Sequence, residues 1–236
     1  MTVVAAAVGG LVVGALLPTL LGALPDRNDM PDGGVEPGGP VRTPYRVLAA
    51  RRGLRPALGV ATAVTWGVLT ASRGWGADLP AYLVVAAFGV ASAYVDLREH
   101  RLPDPLTSSA LAAAGVLLAV AAAVDGDWSA YARAWMVAAV MFATYLGLAV
   151  LRPSELGLGD VKLAAVVGLV TGWLGWGIAV AAAFLGFVLG GLAGVALVLA
   201  GRAGRRTAIP FGPFMLAGAL VAVAQGGTLL DAYLGR

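Results

Sequence analysis

Two aspartates stand out because each lies where a long apolar run of the sequence ends or begins. Asp96 closes one run in ASAYVDLREHRLPDPLT, and Asp160 opens another in SELGLGDVKLAA. Two carboxyl groups brought within a few Å disfavour each other's charge, so such a pair holds one proton. One member can then act as a base on water while the other donates a proton to a carbonyl oxygen, as in aspartic proteolysis. Asp96 and Asp160 are therefore candidate catalytic residues for a reaction that needs neither a metal nor a thiol.

The residues around Asp160 have both a functional and a structural interpretation. Gly157 and Gly159 remove side chains where a substrate backbone would approach the carboxyl group, and the alternative is a flexible turn. Lys162 could tune the pKa of the aspartate pair or extend toward the lipid headgroups. Asp160 itself could simply cap a helix, since aspartate is favoured at a helix N-terminus.

The residues after Asp96 have the same ambiguity. The charged stretch 98–101 is typical of a solvated loop, and it contains His100, the only histidine of the chain. We expect His100 to be solvated. Asp104 follows Pro103, and we expect it to N-cap the next helix.

The composition indicates a polytopic membrane protein. Of the 236 residues, 59% are hydrophobic and 12% are charged, and the mean hydropathy is +0.85. Soluble domains carry about 25% charged residues. We therefore predict an all-α polytopic transmembrane helical bundle. The absence of cysteine excludes disulfides and thiolate metal sites, and a net charge of +3 is too small to suggest nucleic acid as a partner.

The apolar runs predict about eight membrane spans. We interpret residues 1–24 as a retained first span, 25–56 as a Pro/Gly-rich and basic loop, and 57–236 as the main transmembrane domain. The second half of that loop could form a basic amphipathic helix on a membrane surface. The predicted spans are residues 3–23, 57–72, 79–95, 106–124, 131–150, 161–174, 177–200 and 210–230.

Arginine and lysine fix the expected orientation. With the 25–56 loop in the cytoplasm, thirteen basic residues lie on the cytoplasmic side and three on the other, a strong positive-inside bias. Asp96 and Asp160 then both lie at cytoplasmic ends of helices. The sequence cannot show that these two helices are neighbours.

Three segments in this order resemble the signatures of a known family. They are Asp96 with Leu102-Pro103-Asp104 and Thr107, then GLGDVKL at 157–163, then IPFGPF at 209–214. They are similar to the type IV prepilin peptidases, polytopic aspartic endopeptidases of the GxGD class, and the resemblance covers about residues 79–230.

The resemblance implies that Asp96 and Asp160 are the catalytic pair in the bacterial inner membrane. It also implies prepilin or pseudopilin precursors as partners, whose short basic leader is cut off at the cytoplasmic face without a cofactor.

The sequence also departs from that family. Many members carry two Cys-x-x-Cys pairs in the loop after the first span and N-methylate the processed pilin, whereas this chain has no cysteine. In the pattern that often ends the first span, Gly14 and Pro25 fit, but Pro18 and Ala23 replace the expected Asn and Arg. S-adenosylmethionine is expected as a cofactor only if a methyltransferase activity is retained.

Two other functional classes remain open at this point. A small transporter or channel would use Asp96 and Asp160 as proton or cation ligands. Such folds often have internal repeats and sites at mid-membrane, and neither feature is evident in this sequence. A scaffolding subunit of a pilus machine would leave both carboxyl groups without a role. Apart from a substrate, the expected surroundings are the lipid bilayer.

Overall fold

The computed structural model describes residues 1–25, 43–151, 156–201 and 210–234, with side chains up to Gln225 in the last range. Within these ranges the regular secondary structure is helical, as predicted. The helices are α1 (Thr2–Gly22), α2 (Tyr45–Ala49), α3 (Leu54–Arg73), α4 (Leu79–Glu99), α5 (Asp104–Asp125), α6 (Trp128–Leu151), α7 (Leu158–Leu174), α8 (Trp176–Leu199) and α9 (Gly212–Leu234).

Eight of these helices, all except α2, correspond one to one with the eight predicted spans. Five of them, α1, α4, α5, α6 and α8, are long and apolar enough to cross a bilayer, and the stretch of α9 whose side chains are described, Gly212–Gln225, is also apolar. The protein is therefore an all-α membrane bundle. Eight crossings remain a prediction. Helix α7 has only 17 residues, and α3 is not among the helices that are both long and apolar enough to cross.

The basic surface helix predicted in the second half of the 25–56 loop is largely wrong. Of this segment, residues 43–56 lie among those described, and α2 has only five residues. It buries Tyr45 and Leu48 rather than lying flat on a surface. The chain then turns at Gly53, which has a φ of 81°, and α3 starts at Leu54. The left-handed conformation at Gly53 separates the two helices, and the predicted domain boundary at residue 56 falls inside α3.

Small residues let three pairs of helices pack closely: α1 with α3, α6 with α7, and α8 with α9. A Cβ atom on Gly168 of α7 would lie 2.8 Å from Ala138 Cα of α6. A Cβ on Gly186 of α8 would lie 3.2 Å from Met215 Cα of α9, so the absence of a side chain allows this close approach. Gly191 of α8 faces open space instead.

The helices bring the two aspartates to the same end of the bundle. That end contains the C-terminus of α4 and the N-termini of α5, α7 and α9. At the opposite end, the side chain of Arg133 donates hydrogen bonds to the carbonyl oxygens of Gly172 (3.0 Å) and Trp173 (2.6 Å), tying the start of α6 to the end of α7. Because the start of α6 contacts the end of α7, the two helices are antiparallel. The first turn of α7 therefore lies at the aspartate end.

Candidate active site

A cavity of about 710 Å³ opens at the aspartate end of the bundle. Its walls come from the end of α4, the turn before α5 and the first turn of α7, with contributions from Pro25 and Tyr45. The five residues singled out from the sequence all line it: Asp96, Gly157, Gly159, Asp160 and Lys162. The helices of the two aspartates, which sequence order could not relate, are therefore neighbours at this site.

Asp96 lies in the last turn of α4, which continues to Glu99 beyond the predicted end of the span. Its side chain is buried, with only 4% of the residue exposed. Its Oδ2 atom accepts a hydrogen bond of 3.1 Å from the backbone N–H of Gly212, at the start of α9. A carboxyl group removed from water depends on such protein donors. The start of α9 therefore holds Asp96 in place.

Asp160 is the third residue of α7 and is half-buried. Its Oδ2 atom accepts a hydrogen bond of 3.2 Å from the backbone N–H of Gly157, which precedes the helix. In this contact the side chain of the third helical residue accepts from the N-cap backbone, as in a capping box. One oxygen of Asp160 therefore has the helix-capping role that the sequence analysis gave as an alternative. Its Oδ1 atom is buried and has no hydrogen-bond partner among the described residues. That second oxygen is available for water or substrate.

Leu102 lies between the two aspartate-bearing parts of the site. A Cβ atom on Gly159 would lie 2.8 Å from Leu102 Cβ, which is too close for two carbon atoms. A Cβ on Gly212 would lie 2.8 Å from Asp96 Oδ2 and 3.3 Å from Leu102 Cδ2. Neither Gly157 nor Gly159 has a positive φ. Leu102 therefore packs where a side chain at position 159 would lie. This packing inside the protein explains the glycine, whereas the sequence analysis explained it by the approach of a substrate.

Leu102 and Gly212 are positioning residues that sequence reasoning missed. Both fall inside the recognised segments, Leu102 before the Pro-Asp pair and Gly212 within IPFGPF. The hydrogen bond from Gly212 to Asp96, however, joins residues 116 positions apart in the chain, and Leu102 packs against Gly159 57 positions away. No local pattern carries that information.

Tyr145 of α6 is a second residue that the sequence did not single out. It is 1% exposed, and its hydroxyl group has no hydrogen-bond partner among the described residues. Its ring packs against Phe187 and Phe211, with ring centroids 5.7 Å and 6.2 Å away. Phe211 directly precedes Gly212, whose N–H donates to Asp96. A buried hydroxyl with no protein partner is normally satisfied by water.

Lys162 has a partner that neither interpretation anticipated. Its Nζ atom lies 2.7 Å from Oδ1 of Asp104, and both side chains are substantially exposed, at 48% and 67%. The capping role predicted for Asp104 is wrong. Pro103 occupies the N-cap position of α5 without a side-chain cap, and Asp104 is the first helical residue. The resulting ion pair joins the start of α5 to the start of α7 at the rim of the cavity.

The charged stretch 98–101 is more ordered than the solvated loop expected from its composition. Glu99 Oε2 accepts a hydrogen bond of 3.1 Å from the Thr43 N–H, and Arg101 Nη2 donates one of 3.0 Å to the Thr43 carbonyl oxygen. Arg101 also stacks 4.2 Å above the centre of the Tyr45 ring. These contacts fix the segment before α2 against the end of α4. His100 is exposed, as expected, and takes a φ of 50° at the C-cap of α4.

Comparisons with known proteins point to one family. A family profile described as the type IV leader peptidase family matches residues 83–199. A Bacillus subtilis (strain 168) protein named prepilin leader peptidase/N-methyltransferase is 36% identical over 97 residues, covering 41% of this chain and 38% of that protein. An Aeromonas hydrophila protein of the same name is 30% identical over 173 residues, covering 70% of this chain and 56% of that protein. No solved structure matches the chain significantly.

The matched regions cover about half of these relatives or less. The profile match nevertheless contains both aspartates and runs from within α4 to the end of α8, so it includes the walls of the cavity contributed by α4, α5 and α7. The order of the three sequence segments, the shared cavity and the profile match agree. The chain belongs to the type IV leader peptidase family.

Proposed function

We propose that this protein is a membrane aspartic endopeptidase that removes the short basic leader from prepilin-like or pseudopilin-like precursors. The observation that carries the proposal is that Asp96 and Asp160 line one cavity at one end of a membrane bundle. The excess of basic residues at that end supports a cytoplasmic active site in a bacterial inner membrane. Family membership supports the substrate class, because the relatives in Bacillus and Aeromonas are named prepilin leader peptidases.

The mechanism we propose uses the pair as one unit that holds a single proton. The ionised carboxyl group takes a proton from water while the water oxygen attacks the scissile carbonyl carbon, and the protonated carboxyl group donates to the carbonyl oxygen. Collapse of the tetrahedral intermediate breaks the C–N bond, and the leaving nitrogen receives the proton. Asp160 Oδ1 and the Tyr145 hydroxyl are buried and lack a hydrogen-bond partner within the described ranges, and in the mechanism we propose they orient the water or the carbonyl group.

The substrate path we propose runs along the exposed backbone at Gly157, on the rim of the cavity. A Cβ atom there would meet nothing closer than 3.6 Å, so nothing inside the protein requires glycine at this position. An extended substrate segment that passes close to this rim would explain why position 157 is a glycine. Leu102 already occupies the space beside Gly159. This glycine would therefore contribute less to the approach of a substrate than the sequence suggested.

The proposed hydrolysis consumes water and needs no cofactor. S-adenosylmethionine would serve only an N-methyltransferase, and we do not propose that activity, because the 25–56 loop lacks the cysteine pairs seen in many members of the family. The transporter alternative has no specific observation in its favour. Both carboxyl groups lie at helix ends on one side of the bundle rather than at mid-depth, where transporter sites lie.

The test uses the purified full chain in lipid nanodiscs with a synthetic precursor containing a basic leader, a terminal leader glycine and an apolar helix. Mass spectrometry should detect a free leader and a shortened helix, unchanged by EDTA and without methylation when S-adenosylmethionine is added. Failure of folded protein to cleave any such precursor, or loss of cleavage with EDTA, would contradict the proposal. Proton flux through the protein without cleavage would favour the transporter.

A further inference from the structure

We propose that the cleft between α3 and α4 binds an anionic phospholipid. This cleft has a volume of about 680 Å³ and shares no lining residue with the cavity that contains the aspartates. Its residues come from the turn before α3, the first two turns of α3 and the outer face of the end of α4. The inference does not depend on the proposed peptidase activity, since it concerns a different face of α4.

Positive charge marks the mouth of the cleft. Arg51, Arg52 and Arg98 all line it, and all three side chains are exposed. Arg98 is held at the mouth by its position 6.0 Å above the centre of the Tyr94 ring. Within the described ranges no carboxylate forms an ion pair with any of the three. Three guanidinium groups around one opening suit the negative charge of a phosphate, which arginine can bind with its planar fork of donors.

The wall of the cleft is apolar and includes several small side chains. Ala57 and Ala61 contribute from α3, and Val90 and Ala93 contribute from α4. Leu97 lies beside the arginines and is 57% exposed. An inorganic anion would use the guanidinium groups but would gain nothing from this wall. A phospholipid would use both, with its headgroup at the arginines and an acyl chain along the alanine-lined groove.

The position of the cleft agrees with a lipid rather than a soluble ligand. The arginines lie at helix ends, and the apolar wall runs from there along α3 and along α4, which is long and apolar enough to cross a bilayer. Basic pockets between membrane helices on the cytoplasmic side are typical binding sites for anionic headgroups. The lipid would contact Tyr94, whose hydroxyl group donates a hydrogen bond of 3.0 Å to the Leu48 carbonyl oxygen. The bound lipid would thus brace α2 and α3 against α4.

The experiment measures the thermal stability of the purified full chain in neutral detergent as phosphatidylglycerol is added. Phosphatidylcholine with the same acyl chains and soluble glycerol phosphate are the comparison ligands. We expect phosphatidylglycerol to raise the Tm saturably and the other two to have little effect. Equal stabilisation by phosphatidylcholine would overturn the proposal, and stabilisation by glycerol phosphate as large as that by the lipid would show a free-anion site instead.

Matched variants locate the effect. Arg51→Gln with Arg98→Gln should weaken the apparent affinity for phosphatidylglycerol roughly thirtyfold, which equals about 2 kcal/mol at 1.4 kcal/mol per tenfold. Arg46→Gln with Arg55→Gln removes the same charge from exposed positions outside the cleft and should leave the affinity close to that of the parent. Equal weakening in both pairs would mean general attraction to a basic surface and would overturn the site.

A second pair tests the apolar wall. Ala57→Phe fills the groove without changing charge and should also weaken lipid binding, whereas Val64→Phe, at an exposed position of α3 outside the cleft, should not. If Ala57→Phe binds phosphatidylglycerol as the parent does, no acyl chain lies in the groove and the proposal is wrong.

Discussion

Replacing Gly159 with alanine tests how the two aspartates are held relative to each other. The added methyl carbon would lie 2.8 Å from Leu102 Cβ, whereas ordinary van der Waals contact begins at 3.4 Å. The start of α7 must therefore move by about 0.6 Å, and Asp160 is the next residue in the chain. A displacement of about 1 Å at a reacting group costs on the order of 10²-fold in rate. We expect Gly159→Ala to lower kcat roughly tenfold with little change in KM.

The assay compares single-turnover cleavage by the parent, Gly159→Ala, Leu102→Gly and the double variant, each normalised to folded protein. Leu102→Gly removes the Cβ atom that causes the conflict, although it will itself lower activity through lost packing. If the conflict with Leu102 is the reason, Gly159→Ala should cost less than about twofold in the Leu102→Gly background. The coupling between the two changes would then be at least about 1 kcal/mol, the equivalent of fivefold or more.

A different result would refute this reasoning. If Gly159→Ala lowers kcat tenfold both with and without the Leu102 side chain, the conflict with Leu102 is not the cause. The added methyl group would then obstruct the substrate. Gly147→Ala is the control for glycine replacement in general, because a Cβ at that helical position meets nothing within 4 Å. It should cleave as fast as the parent.

Three further predictions concern the surroundings of the pair. Gly212→Ala would bring a methyl carbon to 2.8 Å from Asp96 Oδ2, so we expect at least a tenfold loss of kcat with normal abundance in the membrane; parental kcat would contradict the positioning role of α9. Tyr145→Phe removes a buried hydroxyl that lacks a described partner, so it should leave the Tm unchanged or higher and lower kcat severalfold; unchanged kcat would remove the hydroxyl from the mechanism. Lys162→Met breaks the exposed pair with Asp104, which stabilises by about 1 kcal/mol at most, so cleavage should stay within about threefold of the parent at any salt concentration; a loss of tenfold or more would give Lys162 a role at the active site.

Long, uniformly apolar segments were predictable from the sequence, and short or mixed ones were not. The turn between α7 and α8 is an example of success, because Gly175 takes a φ of 135° and Trp176 starts the next helix, between the predicted spans 161–174 and 177–200. The start of α3 was placed three residues late, since Leu54-Arg55-Pro56 looks polar although Leu54 is buried. Tertiary packing, which a hydropathy profile does not contain, decided that boundary.

The candidate site was predictable in its chemistry but not in its contacts. Asp96 and Asp160 could be singled out because ionisable groups beside membrane spans are costly and therefore conspicuous. The hydrogen bond from Gly212 to Asp96 joins residues 116 positions apart, and the pairing of Lys162 with Asp104 joins two helices. Such contacts follow from how helices pack, and a single sequence has no signal for them. The prediction that Asp104 caps α5 was wrong for this reason. It applied a local capping rule to a residue whose partner lies on another helix.

The most direct test of the central claim is the cleavage rate of purified Asp96→Asn, Asp160→Asn and the double variant on one synthetic precursor. Each asparagine keeps the shape of the side chain and removes the shared proton. We expect each single variant to lose on the order of 10³-fold or more, and the double variant to be no slower than the slower single, because the pair acts as a unit. Asp104→Asn, in the same cavity, should stay within about threefold of the parent. Parental cleavage by either folded single variant, or abolished cleavage in Asp104→Asn, would contradict the assignment of Asp96 and Asp160 as the catalytic pair.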